Sequence, residues 1–235
     1  MTLLYEGKAK KVFEFDSESY LMEFKDSLTA FNALKKGSFQ HKGRINRDIA
    51  ALIFEHFAKN SIRSHYKGKQ GDNGMLVEKV TIIPLEVVVR NILAGSTAKK
   101  LGIEEGQVLK KSLVEFYYKN DELQDPFMSD DQVLMMDIIN EKEIAEVKTA
   151  ALKVNDVLKD LFAKAGLKLV DFKIEFGKNS QGQILLADEI SPDCCRLWDE
   201  KTNEKMDKDR FRRDLGNIGE SYEEVLKRLQ KAIEF

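Results

Sequence analysis

Between Val170 and Phe176 apolar and charged residues alternate without a break. Val170, Phe172, Ile174 and Phe176 fall on one side, and Asp171, Lys173 and Glu175 on the other. A period of two is that of a half-buried strand. The run GKNSQG from Gly177 to Gly182 carries turn residues, so Gln183 to Ile190 reads as the returning strand of a hairpin. Elsewhere the period lengthens to that of a helix. From Lys42 to Asn60, Ile45, Ile49, Leu52, Ile53, Phe54 and Phe57 recur at helical intervals. Between Asp130 and Phe162 the pattern predicts a short helix and a long one, the long one striped by Ile144, Val147, Ala151, Val154, Val157, Leu158, Leu161 and Phe162 and ended by Gly166. Tyr222 to Ile233 predicts a terminal amphipathic helix. Strands are predicted at Leu3 to Phe15, interrupted by a Gly-Lys-Ala-Lys turn, and at Ser19 to Lys25, Met75 to Val80, Leu85 to Val89 and Leu113 to Lys119. Pro84 interrupts the ladder between two of these, which suits a sheet edge or a crossing between lobes.

The hairpin carries the first candidate chemistry. A register with Lys173 opposite Asp188 sets Asp171, Lys173, Glu175, Leu186 and Asp188 on one face, with Asp188 diagonal to Glu175. Alternating charge on a strand also describes a plain solvated face. Carboxylates brought together repel unless a cation neutralises them, and magnesium takes oxygen ligands and bridges to phosphates. The face therefore suits a metal and nucleotide floor, with Leu186 beneath a base.

Composition narrows the classes. A chain of 235 residues buries a sizeable core as one domain or two lobes sharing a cleft. Its 38 basic and 40 acidic residues make no global field for nucleic acid or an anionic membrane, so charge has to act locally. The opening MTLLYEGKAKK lacks the apolar core of a leader, which makes a cytoplasmic setting the expectation. Cys194 and Cys195 are neighbours without metal-site spacing and read as reduced packing thiols. His41, His56 and His65 form no metal pattern.

Other segments offer anion chemistry. Gly7 lets the backbone approach a ligand, and Lys8 and Lys10 supply charge to phosphates, as a solvated hairpin also would. Arg90 at the end of a strand, followed by Ser96 before a helix from Thr97 to Leu101, presents a guanidinium fork, a hydroxyl and free amides. The plain alternative pairs Arg90 with Glu86 and makes Ser96 a helix cap. Arg196 has Asp193 and Asp199 as local partners, and Asp121 and Asp125 read as turn residues.

The segments DFKIEFG, ADEISPD and SPDCCRLWD, joined by YEGKAK, PLEVVVRNILAGS, LGIEEG, KNDELQDP and EKMDKDRFR, together resemble the phosphoribosylaminoimidazole-succinocarboxamide synthases, or SAICAR synthetases, over essentially the whole chain. The resemblance implies an α+β fold of two lobes, a mostly antiparallel N-terminal sheet over residues 1–83 and a C-terminal α/β lobe over 84–235, in an ATP-grasp and kinase-like arrangement. It implies ATP-dependent joining of the carboxylate of carboxyaminoimidazole ribonucleotide to L-aspartate, giving SAICAR, ADP and phosphate, with magnesium and as a homodimer. Carried over residue by residue, Gly7, Lys8, Ala9, Lys10 and Val12 cover ATP, Leu186 packs under its base, and Glu175 and Asp188 hold magnesium. Lys173 neutralises phosphate, and Arg90, Ser96, Arg196, Lys119 and Asp125 contact the nucleotide substrate. Asp193 belongs to the same site, and Asp171 or Asp193 is the expected acceptor for the amine's proton. At Asn32 and Ala33 the family more usually has an aspartate and a glycine. A small-molecule kinase and a non-catalytic nucleotide-binding protein are the competing classes.

Overall fold

The computed structural model describes residues 1–30 and 34–234; Asn32 and Ala33 lie outside them. The N-terminal half is built from β1 (Leu3–Glu6), β2 (Lys10–Glu14), β3 (Ser19–Phe24), the ladder of β4 (Ser27–Ala30) with β5 (Lys35–Ser38), helix α1 (Lys42–Lys59), β6 (Tyr66–Gln70) and β7 (Gly74–Glu78). Five of these strands form an antiparallel sheet in the order β1-β2-β3-β7-β6. Helix α1 lies close on β3 because Gly43 has no side chain: a Cβ there would sit 2.4 Å from the carbonyl oxygen of Phe24.

The chain then crosses through β8 (Thr81–Ile82) into β9 (Leu85–Ile92), α2 (Gly95–Leu101), β10 (Val108–Tyr118), β11 (Phe127–Met128), α3 (Asp130–Met135) and α4 (Glu141–Lys164). It continues through β12 (Leu167–Lys178), β13 (Ile184–Ala187), β14 (Cys195–Asp199), α5 (Asp209–Arg212) and α6 (Ile218–Glu234). The second sheet runs β11-β10-β9-β12-β13, with β14 and β8 also paired to β12. The crossing is pinned where the Ile83 amide donates to the Phe176 carbonyl at 2.9 Å and Val80 rests on Gly177. Asn140 and Glu143 form a reciprocal cap that starts α4, satisfying amides that would otherwise be orphaned.

Two expectations about the hairpin are corrected. Glu175 pairs with Ala187 and Phe176 with Leu186, one residue out of the expected register, so Leu186 shares the core face of Phe176 and is 1% exposed. It has no surface to offer a base. A bulge between Leu169 and Asp171 sends Val170 to the opposite face from Phe172, where it packs with Ala94 and Trp198. One continuous core joins the halves, from Met22 and Phe24 through Ile49 and Phe57 to Phe172, Ile174, Tyr222 and Leu229. Among the described residues, no helix is long and apolar enough to cross a membrane.

Candidate active site

Lysines and carboxylates interleave where β12 and β13 meet the β1–β2 turn. Glu175 projects from β12 and is 3% exposed. Asp188 follows β13 directly, and an extended chain there would aim its side chain at the core beside Ile174. Its backbone instead takes the left-handed conformation, φ 62°, which turns the carboxylate to Lys10. Lys10 also lies 3.1 Å from Glu189. Lys119 reaches Glu175 at 2.5 Å, and Lys173 reaches Glu86 at 2.5 Å with Glu175 at 3.7 Å. Glu86 therefore serves Lys173 and not Arg90.

The electrostatics follow from this packing. Burial and the nearby Asp188 charge push the Glu175 carboxyl up, against the pull of Lys173 and Lys119. Burial acts the same way on Asp188, but the Lys10, Lys173 and Lys119 ammoniums outweigh it and hold that carboxyl well down. Lys10 and Lys173 lose affinity for the proton by burial and regain more from their acids, so both stay charged. Burial lowers His65 to about 4, leaving a neutral ring. Its Nε2 lies 2.9 Å from the Asp188 carbonyl, which only accepts, so Nε2 carries the proton and the contact braces the turn.

A second cluster alternates guanidinium and carboxylate. Asp171 and Arg90 are register partners on β12 and β9, and Arg90 bonds Asp171 at 2.7 Å, Glu115 at 2.6 Å and the Tyr117 hydroxyl at 3.3 Å. Arg196 takes both Asp171 oxygens, at 2.8 and 3.1 Å, and donates to Asp209, which also holds Arg212. Neither Asp193 nor Asp199 is its partner. Gly95, at φ 64°, opens α2 against this arginine; a Cβ there would lie 2.5 Å from Arg196 Nη2. Ser96 is the next residue, exposed in the first turn, and the cap position belongs to Ala94. Asp207 accepts from the Leu197 and Asp209 amides, each at 2.7 Å; burial and the Asp209 charge raise it to about 7.

The remaining predicted residues sit at the margins. Asp193 is held by Lys42 at 2.5 Å, Asn46 at 2.9 Å and the Tyr222 hydroxyl at 2.9 Å. Burial raises its carboxyl, but Lys42, Lys208 and these hydrogen bonds bring it down to about 2. The Gly7 amide donates to the Lys10 carbonyl to close the β1–β2 turn, and Ala9 accepts from the Lys25 amide. Val12 leans on the core, and Lys8 reaches across to Asp121 at 2.7 Å. Asp125 accepts from the Asn120 amide and closes its own turn. Tyr222, Lys42 and Glu115 escaped the sequence reading, since each becomes recognisable only through a partner far along the chain.

Two carboxylates in one lysine-lined environment suit a hard dication, because it would relieve the repulsion that raises Glu175. Among the described residues no three His, Cys, Asp or Glu side chains gather for an all-protein metal cage. That donor set fits an ion that takes its other ligands from phosphate and water.

Residues 3–229 match the family model described as SAICAR synthetase. The phosphoribosylaminoimidazole-succinocarboxamide synthase of Shouchella clausii is 54% identical over 228 residues, covering 97% of this chain and 95% of that one. The crystal structure of the synthase from Ehrlichia chaffeensis superposes with a TM-score of 0.95 at 43% identity, covering 97% of this chain and 98% of that one. A SAICAR synthetase in complex with ADP superposes at 0.94 with 48% identity, covering 96% of each chain. The chain therefore belongs to the SAICAR synthetase family, the ATP-dependent carbon-nitrogen ligases of purine biosynthesis.

Proposed function

We propose that the two clusters divide the family reaction between them, the lysine and carboxylate cluster taking magnesium-ATP and the arginine cluster the phosphorylated imidazole nucleotide. The observation that carries this reading is the convergence of Glu175 and Asp188 on one set of ammonium groups. A similar chain's complex with ADP supports the nucleotide assignment. Residues 1–83 then form the ATP-covering lobe and 84–235 the metal and substrate lobe, in a cytoplasmic homodimer.

A free carboxylate does not yield an amide, because oxide is too poor a leaving group. Transfer of the ATP γ-phosphoryl to the carboxylate of carboxyaminoimidazole ribonucleotide makes phosphate the leaving group. The amine of aspartate then attacks the acyl carbon. Positioning and charge stabilisation do most of the work in such a transfer. Magnesium, held by Glu175 and Asp188, would supply Lewis acidity toward the phosphate oxygens. Lys8, Lys10, Lys119 and Lys173 neutralise charge around it, with the backbone from Gly7 to Val12 as cover. Arg90, Arg196 and Ser96 line the end of the cleft that suits a phosphate, and Asp171 fixes both guanidiniums. Asp125 shapes the turn beside them.

Aspartate-dependent release of ADP with the imidazole nucleotide present tests the reading. Aspartate-independent phosphoryl transfer points to a kinase, and no turnover to a binding protein. Glu175→Gln is expected to lower turnover by about 100-fold or more, as loss of an electrostatic stabiliser commonly does. Near-normal rates at saturating magnesium would remove Glu175 from the metal site.

A further inference from the structure

Arg196 is gripped at two of its three nitrogens. Nε donates to Asp209 at 3.1 Å, and Nη1 to both Asp171 oxygens at 2.8 and 3.1 Å. Nη2 has no acceptor among the described residues, and it lies against Gly95 at the opening of α2. A planar guanidinium held at two corners has its third corner aimed. One of those two holds, Asp209, depends in turn on a residue that neither solvent nor substrate can reach.

Asp207 is that residue, with no exposed surface. The Met206 amide donates to the Leu197 carbonyl at 2.8 Å, so the chain entering α5 runs beside β14. Asp207 then accepts from the Leu197 amide through Oδ2 and from the Asp209 amide through Oδ1, each at 2.7 Å. Leu197 follows Arg196 on β14, and Asp209 is a partner of Arg196, so these bonds close a ring through Asp207, Leu197, Arg196 and Asp209. A plain cap for the short α5 would account for the Asp209 bond alone, and an uncharged Asn or Ser would serve there equally well. It does not account for a buried carboxylate with no Lys, Arg or His nitrogen within 4.0 Å among the described residues, since such a charge is costly to desolvate.

We propose that Asp207 is a positioning residue for the phosphorylated imidazole nucleotide, an assignment that rests on the ligase reading above. Its carboxylate fixes the Asp209 backbone against β14, Asp209 fixes Arg196 Nε, and the free Nη2 is thereby aimed at the nucleotide. The titratable groups facing Asp207 are Asp209 on α5, Arg196 and Cys195 on β14, Lys205 just before it in the chain and Tyr222 on α6. Burial and the Asp209 charge raise the Asp207 carboxyl to about 7, against the two amides and Arg196. Above that value both oxygens accept freely. Below it one oxygen carries a proton, its amide loses a full-strength acceptor, and the hold on Arg196 loosens.

The test is the KM for the imidazole nucleotide in Asp207→Asn relative to the unmodified enzyme, taken as a ratio at each pH so that the substrate's own titration divides out. Asn keeps one acceptor and sets an NH2 group against the other amide. At pH 8 the ratio is expected to be about tenfold, a coupling usual within one hydrogen-bonded network. By about pH 6 it should shrink towards one, because the unmodified residue is then itself protonated. The KM for ATP should stay unchanged throughout. Asp209→Asn should raise the nucleotide KM in the same pH-dependent way, and adding Asp207→Asn to it should raise that KM little further. If Asp207→Asn does not fold, the pH dependence of the Asp209→Asn ratio decides alone. A ratio independent of pH, an ATP KM raised to the same extent, or additive effects in the double variant would overturn the proposal and leave Asp207 a structural cap. Failure of the unmodified enzyme to release ADP with aspartate would overturn the ligase reading itself.

Discussion

Asp193 illustrates how a residue in a catalytic sequence segment can act by holding others. Its side chain joins the turn after β13 to α1 through Lys42 and Asn46 and to α6 through Tyr222. Lys42 is 1% exposed, so Asp193→Asn would strand a buried ammonium and is expected to cost about 3–5 kcal/mol. The folded carboxyl titrates at about 2 against an ordinary 3.8. A depressed acid stabilises above its unfolded value and loses that contribution as pH falls through the folded one. The gap between wild type and Asp193→Asn in urea unfolding should therefore be full at pH 6 and shrink between about pH 4 and 2. A gap independent of pH would show that the Lys42 pair contributes nothing. The family resemblance of the segment put Asp193 in the site, but the partners that define its role lie 151 and 29 residues away.

At the scale of elements, what could be read was the period, and what could not was any break in it. Alternation located β12, and helical spacing located α1, α4 and α6 to within a few residues. The bulge at Val170 and the one-residue shift of β13 leave no mark in hydrophobicity, because either register gives β13 an acceptable buried face. Asp188 still reached Glu175 because its left-handed backbone undid what the register alone would have done. The β9–α2 junction likewise depends on one backbone angle. Gly95→Ala would force a Cβ into a left-handed residue and against Arg196. We expect it to raise the KM for the imidazole nucleotide by about tenfold, the equivalent of about 1.4 kcal/mol, with the KM for ATP little changed. Equal effects on both substrates would mean that the junction supports the whole cleft and not the arginine cluster.

Across the whole molecule, two lobes in topology share one interior. Phe24 and Ile49 precede the crossing at Pro84, Phe172 and Leu229 follow it, and all four belong to the same buried cluster. Helix α6 closes the chain by packing on α1, so the C-terminal segment completes the N-terminal half. Two lobes with separate cores would unfold in two steps, whereas a shared core makes each lobe's loss expose apolar surface on the other. The cleft contacts act in the same direction, since Lys8 reaches Asp121 and Lys10 reaches Asp188 and Glu189 across it. Calorimetry should therefore give one transition, with the calorimetric and van't Hoff enthalpies equal. A magnesium-ATP analogue at a hundred times its Kd should move that transition upward as a unit, by the equivalent of about 2.7 kcal/mol. A second transition that stays in place when the analogue is added would show that the lobes are separate folding units, and that the cleft lies between bodies joined only by the chain at Pro84.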